Sequence, residues 1–412
     1  MLYLPPSLCR SLRLHSAVLL NILLVASNSV SAISAGETFF ANLESNQWRL
    51  VDTNTPSYAP HGGWAIDSAN GRIFTFGSDT HGQELPDNSV HIFDADTLTW
   101  AQSYAPDPTS SYIKDADNWT YTTNGNPWAS HTFDNLAYLP EQNALLVVTA
   151  PAHNYTGKAD ALTSPDASSW FIADQSWLYD ISNNSWSFLK NANTPSSHSA
   201  DVWARSLSYN PDLGKVVAAG GFATSFFDPI TQLWETLSTS NQAYGIHASS
   251  EYNPISQKTF MFGGSRAEPN ILSEYTPETL QWEVLTTTGP DPIKAEGAKI
   301  ALDTVNDVLI YLSVTDDANS YSNPTGASST HILDLHTNEW VNANLDFNPV
   351  NSGLGFSMGY VEAFDVSLYH NAEGLWAYRY ETAALPVPTL PTGSLFLVGL
   401  GAIAYTRRKT IK

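Results

Sequence analysis

Three histidines, His61, His131 and His247, stand shortly ahead of tight turns that lead into apolar β-type runs, IFTFGS, LLVVTA and TFMFGG. Asp134, Trp203, Arg205, Glu296 with Lys299, and Glu362 with Asp365 hold corresponding places ahead of these or similar runs. Brought together around one axis, imidazoles and carboxylates of this kind can ligate a divalent metal or act as general acids and bases. They can equally line a hydrated polar funnel, and no helical or loop spacing of a metal site accompanies them. A second group is aromatic: Tyr104, Tyr112, Trp119, Tyr121 and Trp128 in one segment, and Tyr155, Trp170 and Phe171 in another. Beside Asn, Asp and Ser, exposed rings suit stacking on sugars, with Trp119, Tyr121, Trp128 and Trp170 the candidates; the alternative is that the rings pack the loops into small cores of their own. Asp115, Asp117 and Asn118, and the pair Asp316–Asp317, carry the oxygen ligands calcium uses, without a specific loop signature. There is no His-Glu-x-x-His and no phosphate loop.

The elements that must position these residues are repeated. An eleven-residue phrase ending in Trp occurs as VHIFDADTLTW, SWLYDISNNSW, TSFFDPITQLW, LSEYTPETLQW and THILDLHTNEW, with a distant copy, TFFANLESNQW, at 38–48. Six of the 13 tryptophans therefore share one register. Upstream of five of the phrases lies a near-continuous apolar run, and before each run a short strand and a turn rich in Pro, Asn, Asp and Gly, residues that preset or tolerate turn dihedrals. Each unit reads as strand, turn, apolar strand, loop, strand, turn, Trp strand, and repetition at this spacing implies an array of supersecondary units. The fold class is all-β.

The last unit is split. VSLYHNAEGLWAYRY supplies two strands near the C-terminal end with no Trp phrase after it, and the orphan phrase at 38–48 supplies two more. A closed ring accounts for both, since it leaves no open sheet edge. The expectation is a six-bladed β-propeller at 38–381, closed two strands with two. Its blades are 61–100, 131–186, 203–234, 245–282 and 296–340, and the sixth is 366–381 plus 38–50. Gly220-Gly221 and Gly263-Gly264 after an apolar strand, followed by an aromatic, a turn and a Trp, resemble the kelch repeat. That resemblance implies a kelch-type propeller related to the central domain of galactose oxidase. The copper–radical chemistry of that enzyme needs a tyrosine–cysteine crosslink, which this chain cannot form once Cys9 is removed with the leader.

The single cysteine, Cys9, lies in a segment whose order is basic (Arg10, Arg13), apolar (17–26), then small (Val30-Ser31-Ala32). This is the layout of a secretory signal peptide, placed at 1–32. At the other end, Val387-Pro388-Thr389-Leu390-Pro391 precedes an apolar stretch at 394–405 and the cluster Arg407-Arg408-Lys409. This tail, 387–412, resembles a PEP-CTERM sorting signal of Gram-negative bacteria, processed by exosortases, with Val-Pro-Thr-Leu-Pro where Val-Pro-Glu-Pro is usual. A cleaved signal and a retained transmembrane anchor are both open, and either puts the body outside the cytoplasm, at the cell surface or secreted. A formal net charge of −22 argues against nucleic acid as a partner, because so acidic a surface repels phosphate backbones.

Four-stranded blades put alternate connections on opposite faces, and the long segments, 79–89, 101–130, 151–175, 314–329 and 341–363, all fall on one of them. Long loops held by a rigid scaffold are where binding residues concentrate. Two functional expectations follow. One is an exported protein that binds a glycan or an envelope protein through this face, without a cofactor. The other is an extracytoplasmic carbohydrate-active enzyme, an epimerase or lyase, working through His61, His131, Arg205, His247 and Asp365. A structural matrix component is a third.

Overall fold

A computed structural model describes residues 33–56, 62–77, 87–117, 119–149, 175–190, 192, 205–219, 224–237, 248–263, 271–290, 292, 300–314, 328–343, 345–350 and 357–382. The expected leader at 1–32 and sorting segment at 387–412 lie outside the described residues. Among the described residues no helix is long and apolar enough to cross a membrane.

A short helix, α1 (Ala35–Ala41), precedes β1 (Trp48–Asp52). The first blade is β2 (Gly63–Asp67), β3 (Arg72–Phe76), β4 (His91–Asp94) and β5 (Thr99–Gln102). A hairpin of β6 (Tyr112–Lys114) and β7 (Thr120–Thr122) interrupts the path to the second blade. That blade is β8 (Leu136–Leu139), β9 (Ala144–Thr149), β10 (Gln175–Asp180) and β11 (Ser185–Phe188). The third is β12 (Ser206–Asn210), β13 (Lys215–Ala219), β14 (Thr224–Asp228) and β15 (Leu233–Leu237). The fourth is β16 (Ser249–Asn253), β17 (Lys258–Gly263), β18 (Ile271–Thr276) and β19 (Gln281–Val284). The fifth is β20 (Ile300–Asp303), β21 (Val308–Val314), β22 (Ser328–Asp334) and β23 (Glu339–Asn342). The sixth joins β24 (Met358–Val361), β25 (Val366–Asn371) and β26 (Gly374–Tyr378) to β1. Every blade is an antiparallel four-stranded sheet, and the inner strands touch in the cyclic order β2, β8, β12, β16, β20, β24, β2. The chain is a six-bladed β-propeller.

Closure differs from the expectation. Three strands come from the C-terminal side and one from the N-terminal side, so the ring closes three with one. The first half of the phrase at 38–48 is helical because Ser34-Ala35-Gly36-Glu37 forms a capping box. The Ser34 hydroxyl accepts from the Glu37 N–H at 2.9 Å, and the Glu37 carboxylate accepts from the Ser34 N–H at 2.9 Å. The helix then buries Phe40 against Phe364, with ring centroids 4.8 Å apart. Arg379 secures the join by donating to the carbonyls of Phe40 at 2.9 Å, Phe364 at 2.9 Å and Asp365 at 3.1 Å. The inner strand of the sixth blade is β24, a stretch expected to be loop.

The second half of the phrase is the same in all six copies. The residue two before the Trp adopts a left-handed conformation: Asn46, Leu98, Asn184, Gln232, Leu280 and Asn338, with φ between 49° and 59°. In four copies an Asp holds the turn, its Oδ1 accepting two backbone N–H groups, as Asp228 does from Ile230 and Thr231. The Trp then reaches the preceding blade. Trp282 donates to Thr224 Oγ1 at 2.8 Å, Trp234 to Ser176 Oγ at 2.9 Å, Trp48 to Thr330 Oγ1 at 2.8 Å and Trp186 to the Tyr104 hydroxyl at 2.7 Å. Replacing Thr224 with Val strands the buried indole N–H, and a loss of about 1–2 kcal/mol in urea unfolding is expected.

Among the described residues, apolar side chains gather into six clusters, each spanning one blade junction. Ala65 and Phe74 meet Leu136 and Leu145 at one such junction, and Val217 meets Met261 at another. Stability is therefore distributed around the ring.

Candidate functional site

The inner strands share one register relative to their turns. The third residue from the end of each is Ala65, Ala137, Ser208, Glu251, Ala301 or Gly359, paired in turn with Phe74, Leu146, Val217, Phe260, Ile310 and Leu368. Five of the six positions carry small residues, and the sixth, Glu251, lines the central cavity. Its Oε1 lies 3.8 Å from where a side chain on Gly359 would begin, so the carboxyl reaches from the fourth blade toward the sixth. The next residue of each strand is Ile66, Tyr138, Tyr209, Tyr252, Leu302 or Tyr360, a partial ring of four tyrosines nearer the tight turns.

All of these residues except Ala301 and Gly359 line a central cavity of about 470 Å³ that extends to the exposed turn residues Ala69, Pro140, Pro211, Pro254 and Glu362. The tyrosines are fixed by bonds between blades. Tyr209 donates to Glu141 at 2.6 Å and Tyr252 donates to Asp212. Tyr138 accepts from Arg72 at 3.3 Å, while Tyr360 donates to Asp365 within its own blade at 2.8 Å. Burial and then the facing carboxylates raise the hydroxyl pKa values of Tyr209, Tyr252 and Tyr360, so these groups stay protonated donors.

Deeper in the channel, Asp134 leaves the line of the second blade. The preceding Phe133 is left-handed at φ 49°, unusual for a bulky buried side chain, and its carbonyl approaches Gly63 so closely that a Cβ there would lie 2.1 Å away. Asp134 thereby crosses to the third and fourth blades, where its Oδ2 accepts from the Ser206 hydroxyl and from the Ser250 N–H at 3.2 Å. The hydroxyls of Ser206 and Ser250 are themselves 2.5 Å apart. Burial pushes the Asp134 carboxyl up to about 7, against the lowering effect of its hydrogen bonds. Burial, reinforced by the charge of Asp134, pushes Glu251 up to about 8. Glu251 makes no hydrogen bond or ion pair to a described residue, and Ser208, 6% exposed and lining the same cavity, has a hydroxyl without a partner among the described residues. Among the described residues no Lys, Arg or His lines the cavity.

Of the described residues singled out in the sequence as candidates for the channel mouth, Asp134 and Glu362 line this cavity, Asp134 from the long-loop side and Glu362 at the tight-turn rim. His131 and Arg205 precede the inner strands as expected but are buried, 1% and 5% exposed, with the His131 ring edge-on to Phe133. Asp365 belongs to the opposite end. It follows β24 in the turn before β25, is left-handed at φ 52°, and binds Tyr360 on the tight-turn face. The register expected for the sixth blade is one strand out, which accounts for the misplacement of Asp365 at the other mouth. His61, Trp203, His247, Glu296 and Trp170 lie outside the described residues.

On the long-loop face, segment 101–130 is a folded unit. Trp128 is 1% exposed and stacks on Tyr112 with centroids 5.4 Å apart, so it is core and unavailable to a sugar. Asp107 is a hub for the segment: burial disfavours its charge, but bonds from Asn88, Asn124, Asn126 and Thr122 outweigh that and lower its pKa. Trp119 packs edge-on against Phe188 at 5.2 Å, and Trp119 and Tyr121 both remain partly exposed. The calcium reading of Asp115 and Asp117 meets a competitor, because Lys190 lies 3.7 Å and 2.9 Å from their carboxylates and supplies the positive charge. Asp316 and Asp317 lie outside the described residues, and among those described no three His, Cys, Asp or Glu side chains converge as metal ligands.

No family model matches the chain, and no curated protein matches it.

Proposed function

We propose that this is an exported kelch-type propeller that binds a glycan through its long-loop face. The observation that carries the reading is the architecture of 101–130. A link between neighbouring blades needs only a few residues, yet this one has its own hairpin, its own stacked core of Tyr112 and Trp128, and the buried hub at Asp107. Such a unit holds Trp119 and Tyr121 on a rigid base, and rigid, partly exposed rings beside Asn and Asp suit the apolar faces and hydroxyls of sugars. The Gly-Gly and Trp pattern supports the kelch assignment. The signal-peptide layout and the PEP-CTERM-like tail support display at or beyond the envelope of a Gram-negative cell.

The test is a glycan array with the wild-type protein and the Tyr121→Ala and Trp119→Ala variants. Binding of at least one glycan is expected, weakened about tenfold by Tyr121→Ala, the loss of roughly one stacking contact. No glycan bound, or binding unchanged in both folded variants, overturns the proposal; capture of an envelope protein in place of a glycan would make that protein the ligand.

A further inference from the structure

We propose that the central channel is a second binding site, entered from the tight-turn face and independent of the glycan reading, whose ligand is a linear aliphatic amine such as a diamine or polyamine. Four features point to a cation. The floor holds two carboxyls from different blades, Asp134 and Glu251, and among the described residues the lining contains no basic side chain to neutralise them. Glu251 has no hydrogen-bond partner among the described residues, and the Ser208 hydroxyl beside it in the register is likewise unpartnered and more than nine-tenths buried. An ammonium group has three N–H donors and no acceptor, which matches this set of acceptors. The walls are tyrosine rings, whose faces attract an alkylammonium by cation–π interaction and whose apolar area suits a methylene chain. The rim carries Glu141, Asp212 and Glu362, which draw cations toward the opening. A bare divalent cation fits less well, since two carboxylates and neutral hydroxyls are a poor set for a metal that takes six or more oxygens.

Binding should depend on pH. The titratable groups facing the pair are Tyr138 on β8, Tyr209 on β12, Tyr252 on β16, Tyr360 on β24 and, near the rim, Asp67 and Glu362. Asp67 is held by Arg72 at 2.5 Å, and the tyrosines stay protonated through the neutral range. Asp134 and Glu251 are therefore the groups that change charge between about pH 6 and pH 9, gaining it as pH rises.

The experiment is calorimetric titration of the full chain with 1,4-diaminobutane and with spermidine at pH 6.0 and 8.5, with calcium as a separate titrant. Saturable amine binding that strengthens about tenfold at pH 8.5 is expected, the effect of one added negative charge in a partly buried site. Glu251→Gln, nearly isosteric, should weaken it at least about tenfold and flatten the pH dependence. Ser208→Ala should weaken it about threefold and keep that dependence. Glu362→Gln, at the exposed rim, should change it less than about twofold. Absence of amine binding at pH 8.5, binding equal in Glu251→Gln, or the same affinity at both pH values overturns the proposal. Calcium binding that needs Glu251 without any amine binding does so too.

Discussion

Glu251→Gln is expected to make the propeller more stable at pH 8 and to leave it nearly unchanged at pH 4. Burial holds the folded-state pKa near 8, whereas the unfolded chain has the ordinary value of 4.5. Between those values the folded state keeps a proton that the unfolded state releases, so stability falls as pH rises through the window. Below about pH 4.5 both states are protonated and the penalty is absent. Glutamine mimics the protonated acid and never incurs it. At about 1.4 kcal/mol per tenfold difference in proton affinity, the shift from 4.5 to about 8 sets an upper bound of roughly 5 kcal/mol, and partial exposure of Glu251 together with proton sharing with Asp134 brings the gain down to about 2 kcal/mol at pH 8. Urea midpoints of the two proteins across pH 4–9 check this. Equal stability at pH 8 would mean that the folded protein does not resist ionisation of this carboxyl. A variant that gains stability while losing the amine would mark Glu251 as a residue kept for binding at the expense of the fold.

Removing residues 33–52 is expected to have the largest effect on the fold. The deletion takes away α1 and β1, leaves β26 as an open edge, and empties the site where Trp48 lies between Tyr378, 5.1 Å away, and Tyr369, 6.2 Å away. Arg379 also loses its bond to the Phe40 carbonyl. Every blade already ends on an unpaired outer strand, so the new edge matters through the apolar surface bared at Tyr369 and Tyr378, and light scattering should show larger assemblies than the intact chain forms. A peptide covering 33–56, added in trans, should reverse this. In the intact chain, Trp48→Ala should cost about 3–5 kcal/mol in urea unfolding, as large-to-small changes at buried aromatics do. A truncated chain of unchanged assembly state and unchanged midpoint would show that three strands suffice for the last blade.

The repeat count and the ring are legible in the sequence because the turn and Trp of each phrase recur with little variation, down to a left-handed residue two places before the Trp. Two things hide the closure. The Thr-Phe-Phe run at 38–40 has strand-forming residues, but the capping box four residues earlier starts a helix there; the Ser-x-x-Glu spacing is the available signal. Strand β24, Met-Gly-Tyr-Val, is too short and too varied to stand out, and without it Asp365 falls at the wrong end of the channel. Glu251 is legible in principle. Aligned on their turns, the inner strands place a lone Glu in a column of Ala, Ser and Gly. Asp134 stands out by position alone; its crossing to Ser206 and Ser250 depends on the left-handed Phe133, a conformation that no residue type announces. His131 and Arg205 precede the inner strands, as mouth residues would, whereas packing between blades buries them.

The join between β1 and β26 also bears on how the molecule is made. Trp48 pairs with Tyr378, so the contact that completes the ring links residues at nearly opposite ends of the described chain. Each of the first five blades is local in sequence and can form soon after its own residues become available. The sixth waits for the last, and its partner strand must stay unpaired in the meantime. Long-range pairing of this kind is slow and exposes the intermediate to aggregation. A chain interrupted before Gly374 leaves β1 without its strand partner, so the ring closes only when synthesis has run through to the final blade.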